Sequence, residues 1–600
     1  MNDLDLLREY EPIVRFTEGE LFFPRAVDEY VRASSLWELT ADRKPVELVP
    51  EGQLTLDKLA TYDTLPAGHV LYLRFVREQL APLEYQRWLT RPNRPTFKAP
   101  GRLARVPLIS RIGDAFFDLS LLVRGSVPGG TSAAAEIKTR QLEQRDNRNV
   151  YYGRVVRESG WTVLHYLFFY TMNNWRSGFY GVNDHEADWE QILVYLFEEP
   201  DGRTRPMWVA YASHDFRGDE LRRRFDDPLL FKEGNHPIIF AGAGSHGSYF
   251  EPGEYMMSIE PKFLTPVKNV LNGIRKFWTE TLRQGDVESA ARRIENLLSV
   301  PFVDYARGDG VAIGPGQQLE WLPQLINDDV PWVDNYRGLW GLDTQDRFGG
   351  ERAPSGPKYN RDGSIRMSWY DPLGWAGVDK LFPPVDLPSK LLERLGEVDI
   401  ELESLRENID SERELLRDVA LDVEALKATD YFSVLHEARA RDLAAKQSEF
   451  QGMVAREMEL TETRQALMAY AARLDNGDFG PPAAHLRHPH HPTPPPADQR
   501  RIIEVWAAIS GALALMAFGY LLVTTPRNWL LWAVAAALAF GAIDAWARSR
   551  LARYLSTVII ALAIICAVIL FFEFWQWILI GGLVLIVIYM VRDNLREVRG

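Results

Sequence analysis

Residues 505–523 read VWAAISGALALMAFGYLLV, nineteen positions without a charge. That is close to the ~20 residues a helix needs to cross the hydrocarbon core of a bilayer. Three more apolar runs follow at 529–547, 556–572 and 574–591, and Asp544 is the acid well inside one of them, a turn from its end. Four such runs in succession predict four transmembrane helices over 501–600, a multi-pass anchor, rather than buried soluble helices. Arg500 and Arg501 precede the first run. Arg548, Arg550 and Arg553 lie between the second and third, and Arg592, Arg596 and Arg599 follow the fourth. Basic flanks stay on the cytoplasmic side, so both termini and everything before residue 500 are expected to be cytoplasmic. The opening, MNDLDLLREYEP, has no basic n-region and no apolar h-region, so no signal peptide is expected.

Upstream of the membrane, residues 476–500 carry GPPAAHLRHPHHPTPPP. Proline every few residues forbids a helix and favours an extended spacer. His485, His488, His490 and His491 read as part of a solvated linker rather than as a metal site, because no scaffold holds them. Residues 388–475 are rich in Glu, Arg, Leu and Ala. Leu391, Leu395, Val398, Leu402, Leu405, Ile409, Leu416, Val419, Val423 and Leu426 alternate steps of four and three, with Glu412 breaking the seam once. Such a heptad predicts a coiled-coil stalk. Ala428-Thr429-Asp430 weakens the seam, so a parallel homo-oligomer and an antiparallel hairpin within one chain both remain open.

Residues 1–385 form the head. Gly, Pro and aromatic-rich apolar runs alternate there, with candidate strands at 163–171, 189–197, 207–212 and 237–241 and a helical patch at 266–298. The fold class is therefore a multidomain α+β chain: a β-sandwich-like head with helical insertions, a coiled-coil stalk and four transmembrane helices. Among 600 residues the net charge is −14 and Cys566 is the single cysteine. This composition gives no support for nucleic-acid binding and excludes an intramolecular disulfide or a cysteine-based zinc site.

Chemistry concentrates at three histidines on strand ends: His185 in DHEADWE, His214 in SHD, and His246 in GAGSHG. Asp188 and Glu190, two apart, share a strand face followed by Ile192, Val194 and Leu196. Polar groups at a mouth with apolar residues behind them suit a cleft at a sheet edge. His185, Asp188, Glu190, His214 and His246 are thus the candidate ligands of a divalent metal ion. A mixed His/carboxylate set suits zinc or manganese, and a carboxylate-dominated one magnesium or calcium. The alternative is a structural hydrogen-bond network. The register is open: a two-residue turn at 201–202 places His214 opposite Trp189, a three-residue loop opposite Glu190.

At these residues the head resembles the vacuolar protein sorting-associated protein 62 family. The blocks that carry the likeness are YEPIVRF at 10–16 with ELFFP at 20–24, YLFFY at 166–170 with Asn173, and HEADWE at 185–190. SH at 213–214, GSHGSYF at 244–250, and PWV at 331–333 through YRGLWG at 336–341 complete it. They run in order along the head and leave the stalk and membrane region uncovered. The resemblance implies trafficking or membrane association and no established reaction. HEADWE is also similar to the GHRHDWE heptad of the necrosis-inducing protein family, β-sandwiches that hold a divalent cation there and act at membranes. Only His185, Asp188 and Glu190 carry over, because Asn183-Asp184 and Glu186-Ala187 depart from that heptad.

The expected function is a membrane-anchored, cytosol-facing binding or scaffold protein. Its partners would be the lipid bilayer, a lipid, glycan or protein ligand at the head, and a second copy through the stalk. One alternative is a metal-dependent hydrolase with a metal-bound water and Glu190 or Asp188 as base; another is a channel or pore-forming assembly. No nucleophile elbow, phosphate loop or HExxH helix supports the hydrolase, and the spans lack the polar stripe a channel would use.

Overall fold

A computed structural model describes residues 2–63, 66–92, 102–123, 129–174, 184–213, 216, 218–259, 300–342, 352–428, 430–486, 491–493, 501–525 and 527–599. His214, His488, His490 and the helical patch expected at 266–298 lie outside them. The strands used below are β1 Ile13–Arg15, β2 Asn149–Glu158, β3 Trp161–Asn173, β4 His185–Glu198, β5 Thr204–Tyr211, β6 Arg222–Arg224, β7 His236–Ala241, β8 Gly253–Ile259, β9 Val300–Ala306 and β10 Trp321–Leu325. The helices are α1 Leu108–Val123, α2 Gly129–Glu143, α3 Leu387–Lys427, α4 Ser433–Asp475, α5 Arg501–Thr524, α6 Trp529–Ala547 and α7 Leu551–Arg599.

The head is a mixed α/β structure built on an open six-stranded sheet in the order β10-β2-β3-β4-β5-β6. β3 and β4 run thirteen and fourteen residues because they are rich in aromatic, β-branched and other apolar residues and have no interior proline or glycine. Period-two alternation sends their side chains to two different cores. Tyr166, Phe168, Ile192 and Val194 join Val14 and Phe16 near β1 and Ile239 of β7 on one face. Leu167, Phe169 and Trp189 join Tyr30, Trp332, Trp340 and Leu142 of α2 on the other. β1 runs parallel to β7, and β8 pairs antiparallel with β9. All four strands expected from the sequence are present, and β3 and β4 are longer than expected at both ends.

The stalk folds back on itself. α3 and α4 are joined by a short break at 428–432 and pack against each other. Val398, Leu402 and Leu460 form their buried seam. Asp399 pairs with Arg464 at 2.5 Å and Arg406 with Glu457 at 2.8 Å, so positions rise on one helix as they fall on the other. This is the hairpin alternative, and the weak seam at 428–430 is where it turns.

The membrane end departs from the expectation. Among the described residues, three helices, where four were expected, are long and apolar enough to cross a membrane: α5, α6 and the Leu551–Trp577 portion of α7. They mark the chain as a membrane protein. The third and fourth expected spans are one continuous helix, α7. Glu573 alone does not stop a helix, and no proline or glycine stands between 556 and 580 to do so. The return crossing expected at 573 is therefore not made.

The proline-rich linker, expected to be flexible, is docked where it is described. Its carbonyls are not consumed by a helix or ladder of their own, and a buried arginine of the head uses two of them. Arg224 Nη1 donates to the carbonyls of Phe479 at 3.0 Å and Gly480 at 2.9 Å. His485 sits edge-on to Trp208, with Nε2 3.0 Å from the Arg222 carbonyl. Thr493 N donates to Glu254 O at 2.8 Å, and His491 pairs with Glu251 at 2.6 Å.

Candidate functional site

The turn of residues 242–247 brings His246 to β4. Gly242 N donates to Gly247 O, and His246 N to Gly242 O at 2.8 Å. Glycine is required at 242, because a Cβ there would collide with Ser245 Oγ and the Asp304 carboxylate. Asp304 of β9 accepts from Ser245 Oγ and from Tyr249 OH, each at 2.7 Å. Asn174 N donates to Gly244 O, and Gly244 N donates to Glu20 Oε2, both at 2.7 Å. The turn is thus fixed from three sides.

Within it, His246 adopts φ +58°, and Ala187 on β4 adopts φ +59°. Left-handed backbone costs a non-glycine residue roughly 1–2 kcal/mol and persists where surrounding contacts enforce it. At Ala187 the deviation has a visible consequence. It interrupts the β3–β4 ladder between Glu186 and Asp188, and the Glu186 carboxylate turns to the helical face. There it accepts from Phe75 N at 2.8 Å, Val76 N at 2.6 Å and Leu342 N at 3.0 Å. Burial raises the Glu186 carboxyl while those three donors pull it back down.

Asp188 meets the turn. His246 Nδ1 lies 2.9 Å from Asp188 Oδ2, which also accepts from Asn173 Nδ2 at 3.0 Å; Trp189 N donates to Oδ1 at 3.0 Å. The imidazole is stacked on Tyr170 with centroids 3.8 Å apart and planes 4° from parallel. His246 Nε2 is buried without a hydrogen-bond partner among the described residues and is 3.9 Å from Glu20 Oε1. Glu20 Oε1 itself accepts from Leu21 N at 2.7 Å and Phe22 N at 3.0 Å.

The surroundings are acidic. Tyr170 is pushed well above its ordinary value, first by burial and then by Glu190, Asp188 and Glu20. Among the described residues, Arg366 is a cation within electrostatic reach, which burial and Arg361 push down to about 10 while Glu190 and Asp188 hold it up. Its guanidinium donates to the Tyr359 and Gly356 carbonyls at 3.0 Å each. Glu20 also borders a cleft of about 430 Å³ with Leu21, Phe23, Arg140, Glu143 and Gln144.

Of the five residues expected together, Asp188 and His246 are in direct contact. His185 is buried at the start of β4 with Nδ1 2.8 Å from the Ala187 carbonyl. Glu190 lies two residues beyond Asp188 and acts on Tyr170 through its charge. His214 lies outside the described residues; the β4–β5 ladder ends at Ile192–Tyr211, before its position. Among the described residues no group of three or more His, Cys, Asp or Glu has metal-holding geometry. Glu20 is the site residue that local reading missed, although it stands in the ELFFP block at 20–24; a contact spanning 224 residues leaves no local signal.

No family model matches the chain, and no curated protein matches it. Among solved structures, one described as "Toxin fold for microbial attack and plant defense" is similar at 18% identity and a TM-score of 0.12. The match covers 15% of this chain and 37% of that one, so this chain spans little more than a third of that structure's length. That likeness is too slight to bear on fold or function.

Proposed function

We propose that the chain is a membrane-anchored binding protein whose head, on the cytosolic side, takes up a divalent cation at His246 and Glu20. The observation that carries this is the buried, unpartnered His246 Nε2 facing a carboxylate at 3.9 Å. A buried nitrogen lone pair or N–H without a partner costs about 1–3 kcal/mol. A cation between the two groups would relieve that cost. Asp188 then has a different role from the one its sequence position suggests. It holds Nδ1, the ring nitrogen opposite Nε2, so it orients the imidazole and fixes its tautomer, as carboxylates commonly do behind metal-bound histidines. Glu20 links the centre to the 430 Å³ cleft, where Glu143 and Arg140 are placed to contact a polar ligand. The resemblance to the vacuolar sorting 62 family agrees with a role at membranes.

The test is thermal unfolding of the full chain in detergent with and without chelator. Chelator should lower the melting temperature of the parent, and one divalent ion should restore it. Glu20→Gln, which keeps the backbone acceptor but loses the charge, should respond less. An unchanged parent curve would leave the cluster as a structural hydrogen-bond network.

A further inference from the structure

We propose that α1, a helix of the head, is embedded in the bilayer beside α5 and roots the head in the membrane instead of leaving it on a tether. α1 packs along α5, a candidate span, and also meets β9 of the head. The approach to α5 is close: a Cβ at Gly511 would come within 2.5 Å of the Arg111 carbonyl and 3.4 Å of Ala115 Cβ. Small residues that let backbones meet are typical of helix packing inside membranes.

Charge is distributed accordingly. Arg111 is 1% exposed, donates to Ser510 Oγ of α5 at 2.6 Å and pairs with Asp544 of α6. Asp544 also accepts from Trp506 Nε1 at 3.2 Å and Arg548 Nε at 3.0 Å. Arg548 reaches the Val106 carbonyl at 3.0 Å, which closes the contact from the α6 end. An arginine and an aspartate on apolar helices are expensive in lipid unless they face each other within the bundle. The acid inside the second span is explained by this pair, not by an ion path.

The opposite side of α1 exposes apolar residues. Ile109 is 54% and Phe116 49% exposed, seven residues apart on one stripe. Arg111 toward a partner helix with apolar residues outward is the reverse of a soluble amphipathic helix. Sixteen residues at 1.5 Å each give about 24 Å, short of the ~30 Å hydrocarbon core. α1 therefore enters the bilayer without crossing it.

The experiment uses full-length protein with Cys566→Ser, reconstituted in phosphatidylcholine vesicles. Single cysteines at Ile109, Phe116 or, as an aqueous reference, Tyr431 (96% exposed, in the stalk) carry an environment-sensitive fluorophore. Lipid-attached nitroxide should quench positions 109 and 116 several-fold more than 431, and aqueous iodide should do the reverse. Iodide quenching at 109 and 116 equal to that at 431 would overturn the proposal. Should Phe116→Cys fail to insert, Ile109→Cys on the same stripe decides it.

Discussion

Asp188 and His246 lie 58 residues apart and meet at 2.9 Å, with the imidazole flat against Tyr170. The carboxylate accepts from His246, from Asn173 and from its neighbour's amide. Asp188→Ala strands the first two donors in a buried site. It should destabilise the protein by about 2–4 kcal/mol, since each buried orphan donor costs about 1–3 kcal/mol. Chemical denaturation of parent and variant measures this, and a difference under 1 kcal/mol would show the pair to be incidental.

Glu186 holds three backbone amides of two separate segments, 75–76 and 342. Glu186→Gln keeps the shape but directs an amide NH₂ at backbone donors. A loss of about 2–4 kcal/mol is expected, because hydrogen bonds to a charged acceptor are worth about 1.5–3 kcal/mol each. Hydrogen exchange at Phe75 and Val76 should accelerate in the variant. Unaltered protection there would show that the carboxylate does not fix that segment.

His165 is pushed down to about 3 by burial first and by Arg154 next, with Gln191 pulling it back up. Its folded value lies below the unfolded value of about 6.5, so the unfolded chain takes up the proton first. The stability tied to neutral His165 is complete above about pH 6.5 and drains away as pH falls toward 3, about 2 kcal/mol of it by pH 5. His165→Gln, which can still donate to Gln191, removes that proton uptake. Its melting temperature should fall less than the parent's between pH 7 and 5; parallel curves would exclude His165 as the cause.

The stalk makes a topological prediction. Asp399→Cys with Arg464→Cys, in a Cys566→Ser background, should be joined within one chain by a short bifunctional thiol cross-linker, because the two positions face each other across the hairpin. A covalent dimer as the main product would restore the parallel oligomer.

How much of this could be read in advance depended on the range of each interaction. The strands around Tyr166–Tyr170 and Ile192–Phe197 were legible, since alternation and β-branched content are local. The hairpin turn at 428–432 was legible as a weakened seam, though not its consequence. What escaped was long-range or backbone-borne. Left-handed Ala187 sends Glu186 to the opposite face, and nothing in HEADWE signals it. Glu20 reaches Gly244 across the chain. Arg111 and Asp544 lie 433 residues apart, and α1, with three charges in sixteen residues, falls below any span criterion. Glu573 suggested a break in α7 because charge was weighed more heavily than the missing helix breaker.

The central claim is that Glu20 and a His246 imidazole oriented by Asp188 take up a cation. Elemental analysis of purified full-length protein, parent beside His246→Gln, tests it most directly. One divalent ion per parent chain and a several-fold loss in His246→Gln is the predicted result. A metal-free parent that binds none on dialysis against zinc, manganese, calcium or magnesium would contradict it.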